Sequence, residues 1–154
     1  MARQLLLIED SATDARLVRA ALQDAREPAC DVEHAADLQS GLRRLAAPGI
    51  DLVLLDLHLP ESRGLATLQR LQEAHPNVPV IVVTGSDDVR LADLAIDQGA
   101  QDLVVKGTPH FVPVLRHSIR AALERIQVLE ALHAALGTEA APLARSRRDR
   151  KAAR

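Results

Sequence analysis

The chain has 154 residues, 47% hydrophobic and 26% charged, with a formal net charge of −2. That is enough for one core and too short for two full-sized domains, and it excludes a disordered chain. The single cysteine, Cys30, excludes an internal disulfide. No apolar run approaches the ~20 residues of a membrane span, and Glu9 and Asp10 come too early for a signal peptide, so a cytoplasmic protein is expected.

Strand and helix patterns alternate along the chain. Residues 4–9 read as a first strand, an apolar LLLI run that meets Glu9 and Asp10. Ser11 to Asp14 reads as a capping box, with Leu17, Val18, Ala21 and Leu22 following at helical spacing. Residues 30–35 set Val32 and Ala35 among charged neighbours, as an edge strand does. Asp37 is placed to cap a second helix carrying Leu38, Leu42 and Leu45, and Pro48-Gly49 punctuates its end. Residues 51–56 read as a third strand that runs into Asp56. After a loop from Leu57 to Gly64, Leu65, Leu68 and Leu71 mark a third helix. Pro76 and Pro79 bracket the approach to a fourth strand, residues 80–84, which ends at Thr84. Ser86, Asp87 and Asp88 offer caps for a fourth helix ending at Gly99. Residues 102–106 form a fifth strand closing on Lys106, and a long fifth helix begins near His110–Val112. Phe111 is the only aromatic residue, so the core must be aliphatic.

Successive βα units predict right-handed crossovers and a doubly wound, five-stranded parallel sheet in the order 2-1-3-4-5. Uninterrupted apolar strands suit a sheet buried on both faces, and ligands bind at the carboxyl edge of such sheets. That edge would collect Glu9, Asp10, Asp56, Thr84 and Lys106. Two carboxylates about 4 Å apart repel by roughly 4 kcal/mol at an effective dielectric near 20. One lysine cannot offset three such acids. A dication can, and clustered carboxylate oxygens with room for water suit Mg²⁺. The residues alone therefore predict a site for a divalent cation and a phosphoryl group. The plainer reading is that each acid merely caps or follows its strand.

The stretches LLLIEDSATD, VLLDLHLPESRG, VIVVTGSDD and GAQDLVVKG, in this order and at these intervals, resemble the response-regulator receiver domains of two-component signalling. The resemblance covers residues 4 to about 126 and implies the flavodoxin-like receiver fold. It implies that Asp56 accepts a phosphoryl group from a sensor histidine kinase or phosphotransfer protein. It further implies that Glu9, Asp10, Asp56 and the backbone carbonyl of His58 hold Mg²⁺, and that Thr84 and Lys106 contact the phosphoryl oxygens. The expected role is a stand-alone switch of binding to a downstream effector, or a phosphorelay carrier, with weak self-dephosphorylation rather than enzymatic turnover. Two departures stand out: Leu103 where most receivers carry an aromatic residue, and Gly107 where the family usually has proline. Two alternatives follow. One is a degenerate receiver that binds partners without phosphorylation. The other is an aspartate-nucleophile phosphatase of the haloacid dehalogenase type, which would need its nucleophile after the first strand and an acid two residues on. Here Asp56 ends the third strand and position 58 is histidine. The His58 side chain would either tune the lifetime of the phosphorylated state or be an exposed loop group contributing only its carbonyl.

Ile119, Ala122, Ile126, Leu129, His133 and Leu136 keep a three-four spacing. The receiver is accordingly placed at 4–126, with a helical extension over 127–136 that either mediates a homodimer, docks on another protein or folds back on its own domain. Residues 137–154 read as a disordered basic tail, with six basic side chains against Asp149 in the last ten positions of an otherwise acidic chain. Nucleic acid is not expected as a partner, since no helix-turn-helix follows and no aromatic residues interleave the arginines.

Overall fold

The computed structural model describes residues 2–23, 29–85 and 90–137. The chain runs β1 (Arg3–Ile8), α1 (Ala12–Gln23), β2 (Cys30–Ala35), α2 (Leu38–Ala46), β3 (Leu52–Leu55), β4 (His58–Leu59), β5 (Ser62–Arg63), α3 (Leu65–Ala74), β6 (Val80–Gly85), α4 (Leu91–Asp97), β7 (Asp102–Lys106) and α5 (Phe111–Ala135). Five strands form one parallel sheet in the order β2-β1-β3-β6-β7. With the small hairpin β4-β5 set aside, this is the 2-1-3-4-5 order read from the sequence, and the fold is the flavodoxin-like receiver fold. The hairpin pairs His58 with Arg63 and Leu59 with Ser62, inside the stretch read as a plain loop.

The alternation of side chains along each strand divides the core in two. Leu5, Leu7, Leu52, Leu54, Ile81, Val83 and Val104 face α1 and α5, meeting Ala15, Val18, Leu115, Ile119 and Ile126. Leu6, Ile8, Val53, Leu55, Val80 and Val82 face the other way, onto Leu38, Leu68, Leu71 and Ala95. The core is aliphatic as expected, with Phe111 its one buried ring. Gly41 of α2 lies directly over Ile8, and a Cβ there would collide with the isoleucine side chain. The missing side chain thus lets α2 sit close behind the residue that precedes Glu9.

Some details differ from the sequence reading. Leu17 is 42% exposed. The inward stripe of α1 is Ala15, Val18, Ala21 and Leu22, and Leu17 stands about 100° away from Val18 on the helix. Only half of the capping box forms: Ser11 Oγ accepts the Asp14 amide at 3.2 Å, while the Asp14 carboxylate is engaged elsewhere. The α2 cap forms as read, with Asp37 Oδ1 accepting from the Ser40 amide at 2.7 Å. The expected α4 caps, Ser86 to Asp88, lie outside the described residues, as does the chain beyond Gly137. After Lys106 the backbone turns through Gly107 at φ +78°. Proline, fixed near −65°, could not take that conformation.

Helix α5 is 25 residues long, and its buried positions end at Ile126. It continues past the sheet with Val128, Leu132 and Leu136 at least half exposed. Arg3 of β1 reaches Glu130 at 3.7 Å across this junction. Among the described residues no helix is long and apolar enough to cross a membrane.

Candidate phosphoacceptor and metal site

The pocket is a product of strand register. β1 and β3 pair directly, Ile8 opposite Leu55, so the residues that leave these strands emerge side by side. The Asp56 amide bonds the Ile8 carbonyl at 3.0 Å, and the Glu9 amide bonds the Ala35 carbonyl at 3.0 Å. One oxygen from each of Glu9, Asp10 and Asp56 lies within 4.8 Å of the other two. From the far side, Gly85 of β6 pairs with Lys106 of β7, which brings the lysine to the same edge. Its Nζ donates to both Glu9 oxygens at 3.2 Å, to Asp14 Oδ2 at 2.9 Å and to Asp56 Oδ2 at 3.4 Å.

All of these groups but Asp10 and Asp14 are buried. Glu9, Asp56, Thr84 and Lys106 are each at most 9% exposed. Burial first, then the hydrogen bond and charge of Asp56, push the Glu9 pKa up to about 8, against the opposing pull of Lys106. The lysine responds in the complementary sense. Burial works against its charge, but the bond to Asp14 and the charges of Asp56 and Glu9 hold its pKa above the usual lysine value. Three carboxylates face one ammonium here, and the charge of Asp56 adds to burial in favouring the Glu9 proton. Three hard oxygen donors in surplus negative charge fit Mg²⁺. Among the described residues Thr84 Oγ1, fully buried, has no hydrogen-bond partner. A buried hydroxyl without an acceptor costs stability unless a ligand supplies one.

The loop behind the pocket is pinned. The His58 amide donates to Asp56 Oδ1 at 3.0 Å and fixes the orientation of that carboxylate. The Gly64 amide bonds the Leu57 carbonyl at 2.9 Å, and Thr67 Oγ1 bonds that carbonyl and the Ser62 hydroxyl. Glu61 Oε1 accepts from the Leu38 amide at 2.7 Å, tying the hairpin to the start of α2. His34 Nε2 lies 2.7 Å from the Glu9 carbonyl, bracing the exit of β1.

The structure thus brings together Glu9, Asp10, Asp56 and Lys106 in direct reach, with Thr84 on the neighbouring strand end. His58 meets Asp56 through its amide. Sequence reasoning missed Asp14 as a member of the pocket. Its place three residues after Ser11 had a sufficient local explanation, and its partner lies 92 positions away.

Residues 5–111 match the response regulator receiver domain, and the chain belongs to that family. Over 122 residues it is 33% identical to the swarming motility regulation protein RssB of Serratia marcescens, covering 79% of this chain and 53% of that protein. It is 31% identical, with the same shares covered, to the response regulator ArlR of Staphylococcus saprophyticus. The chain therefore spans about half the length of these curated relatives. Among solved structures it is similar to a response regulator receiver domain protein from Clostridium thermocellum, with a TM-score of 0.70 and 26% identity over 82% of this chain and 98% of that one. It is also similar to NtrX from Brucella abortus, with a TM-score of 0.66 and 28% identity over 83% of this chain and 29% of that one.

Proposed function

We propose that this chain is a working phosphoacceptor: Asp56 takes a phosphoryl group from a sensor histidine kinase or phosphotransfer protein in a Mg²⁺-dependent step, and the modified domain relays it or changes its binding to an effector protein. The observation that carries the reading is the carboxylate trio of Glu9, Asp10 and Asp56 beside Lys106, with the hydroxyl of Thr84, which has no partner among the described residues, on the same sheet edge.

Glu9, Asp10, Asp56 and the His58 carbonyl are the groups proposed to hold Mg²⁺. Bound there, the ion would supply positive charge against the phosphoryl oxygens. The side chains do the rest. The His58 amide holds Asp56 Oδ1 and so presents the carboxylate in one orientation. An Asp56 oxygen bonds to phosphorus as the bond from phosphorus to the donor imidazole breaks, and the electron pair returns to that imidazole. Lys106 donates to an oxygen of the transferred group. Thr84 gains an acceptor on the transferred group, and its movement toward that oxygen is the proposed start of the switch. Leu103, half-buried among the side chains under α3 and α4, takes the place of the aromatic side chain that would follow the threonine inward.

The receiver unit is proposed at 4–126. The exposed apolar residues of the 127–136 extension form its proposed surface for a second copy or an effector.

Incubation with acetyl phosphate and Mg²⁺, followed by intact mass measurement, tests the reading. One added phosphoryl group is expected, absent in Asp56→Ala and absent with a chelator. No added mass would leave the second reading, a receiver that binds partners without phosphorylation, which the departures at Leu103 and Gly107 favour. Mass added equally to Asp56→Ala would place the acceptor elsewhere.

A further inference from the structure

Lys106 Nζ has three N–H donors. Four carboxylate oxygens surround it, and the shortest contact, 2.9 Å, goes to Asp14 Oδ2, a residue outside the carboxylate trio. Strong charge-assisted bonds of this type run at about 2.7–2.9 Å. Asp14 meets that length, whereas Asp56 Oδ2 at 3.4 Å does not. The ammonium is therefore seated on Asp14 and only leans toward Asp56.

The seat is independent of the pocket floor. Asp14 stands in the first turn of α1, where the unpaired amides of a helix start favour a negative charge. Its own amide is taken by Ser11 Oγ. Its carboxylate is 38% exposed, against 3% for Glu9 and 6% for Asp56. An oxygen newly placed on Asp56 must share this ammonium, whose three N–H donors already face four carboxylate oxygens, with Asp14.

We propose that Asp14 is a positioning residue that holds Lys106 back from Asp56 and competes with the phosphoryl group for its ammonium. This rests on reading Asp56 as the phosphoacceptor. Asp14 touches neither the phosphoryl group nor the cation. It acts through Lys106, and it sets how much of the lysine's charge a phosphorylated Asp56 can command.

The test is the affinity for beryllofluoride, a phosphoryl mimic, at saturating Mg²⁺, read by calorimetry. Asp14→Asn, nearly isosteric and without the charge, is expected to bind about tenfold tighter than the unaltered chain, a difference of about 1.4 kcal/mol. Asp14→Ala is expected to move the same way. The gain must disappear between Lys106→Met and the Asp14→Asn/Lys106→Met double variant, because the effect is routed through the ammonium. Unchanged or weaker binding in both Asp14 variants overturns the proposal. So does a gain that survives in the Lys106→Met background, which marks a general charge effect. If the unaltered chain takes no phosphoryl group from acetyl phosphate, the reading of Asp56 fails and takes this inference with it. If it is phosphorylated and Asp14→Asn binds the mimic no better, only the role of Asp14 falls.

Discussion

Burial of Glu9 beside Asp56 makes metal-free stability depend on pH in a direction opposite to that of most carboxylates. Glu9 has its pKa raised from 4.5 to about 8, by burial first and then by Asp56. An acid whose pKa rises on folding binds its proton more tightly in the folded state. Its contribution to stability is complete below about pH 4.5 and is lost as the pH climbs through about 8. The slope approaches about 1.36 kcal/mol per unit and halves at the folded pKa, so the rise from about pH 6 to about pH 8 removes roughly 2 kcal/mol. For a chain of 154 residues that is a fall in Tm of about 4–8 °C. Glu9→Gln has no proton to lose there. It should match the unaltered chain near pH 6 and exceed it near pH 8, both without metal. Millimolar Mg²⁺ should restore the unaltered chain at the higher pH and help Glu9→Gln far less. Circular dichroism melts suit the measurement, since the chain has neither Trp nor Tyr. A metal-free Tm that stays level or rises across this range, or a Glu9→Gln variant that falls in parallel, would rule out Glu9 as the titrating group.

Three further outcomes are expected. Lys106→Met removes the ammonium bonded to Glu9, Asp14 and Asp56, and should cost roughly 3 kcal/mol in metal-free urea unfolding at neutral pH, with part of the loss recovered on adding Mg²⁺. Gly41→Ala drives a methyl group into Ile8 and should cost about 1–3 kcal/mol by the same assay, with a weaker Mg²⁺ response because Glu9 is the next residue; an unchanged midpoint would show that α2 moves aside freely. With Leu103 in place of an aromatic ring, NMR shifts on adding beryllofluoride should be large at Thr84 and Lys106 and small at Ala95 and Leu103; large, well-ordered shifts at all four would show tight coupling without the ring.

The sheet was legible because its strands are buried on both faces. Leu5–Ile8, Leu52–Leu55 and Val80–Val83 are unbroken apolar runs, and the polar residue after each marks the carboxyl edge of the sheet. Alternation with helical patterns then constrains the strand order, and the order brings Glu9 beside Asp56. What escaped reading has physical reasons too. The β4-β5 hairpin is two residues on each strand and is held by Thr67 and Ser62 side chains, too short to carry a period. Leu17 lost to Ala15 and Val18 because helix phase is set by the sheet it packs on, which a local apolar count does not contain. Asp14 was explained by its neighbours in sequence, while its partner arrives from the other end of the domain. The Gly107 turn, by contrast, follows from residue type: a glycine replaces a proline where the backbone takes a positive φ.

The ammonium of Lys106 closes on Glu9 across 97 positions of sequence. A chain still emerging from the ribosome, with β7 not yet released, owns the acids but not the counter-charge. The last strand of the sheet to be synthesised is therefore also the one that carries the ammonium to the pocket, and translation must pass Lys106 before the acids gain it.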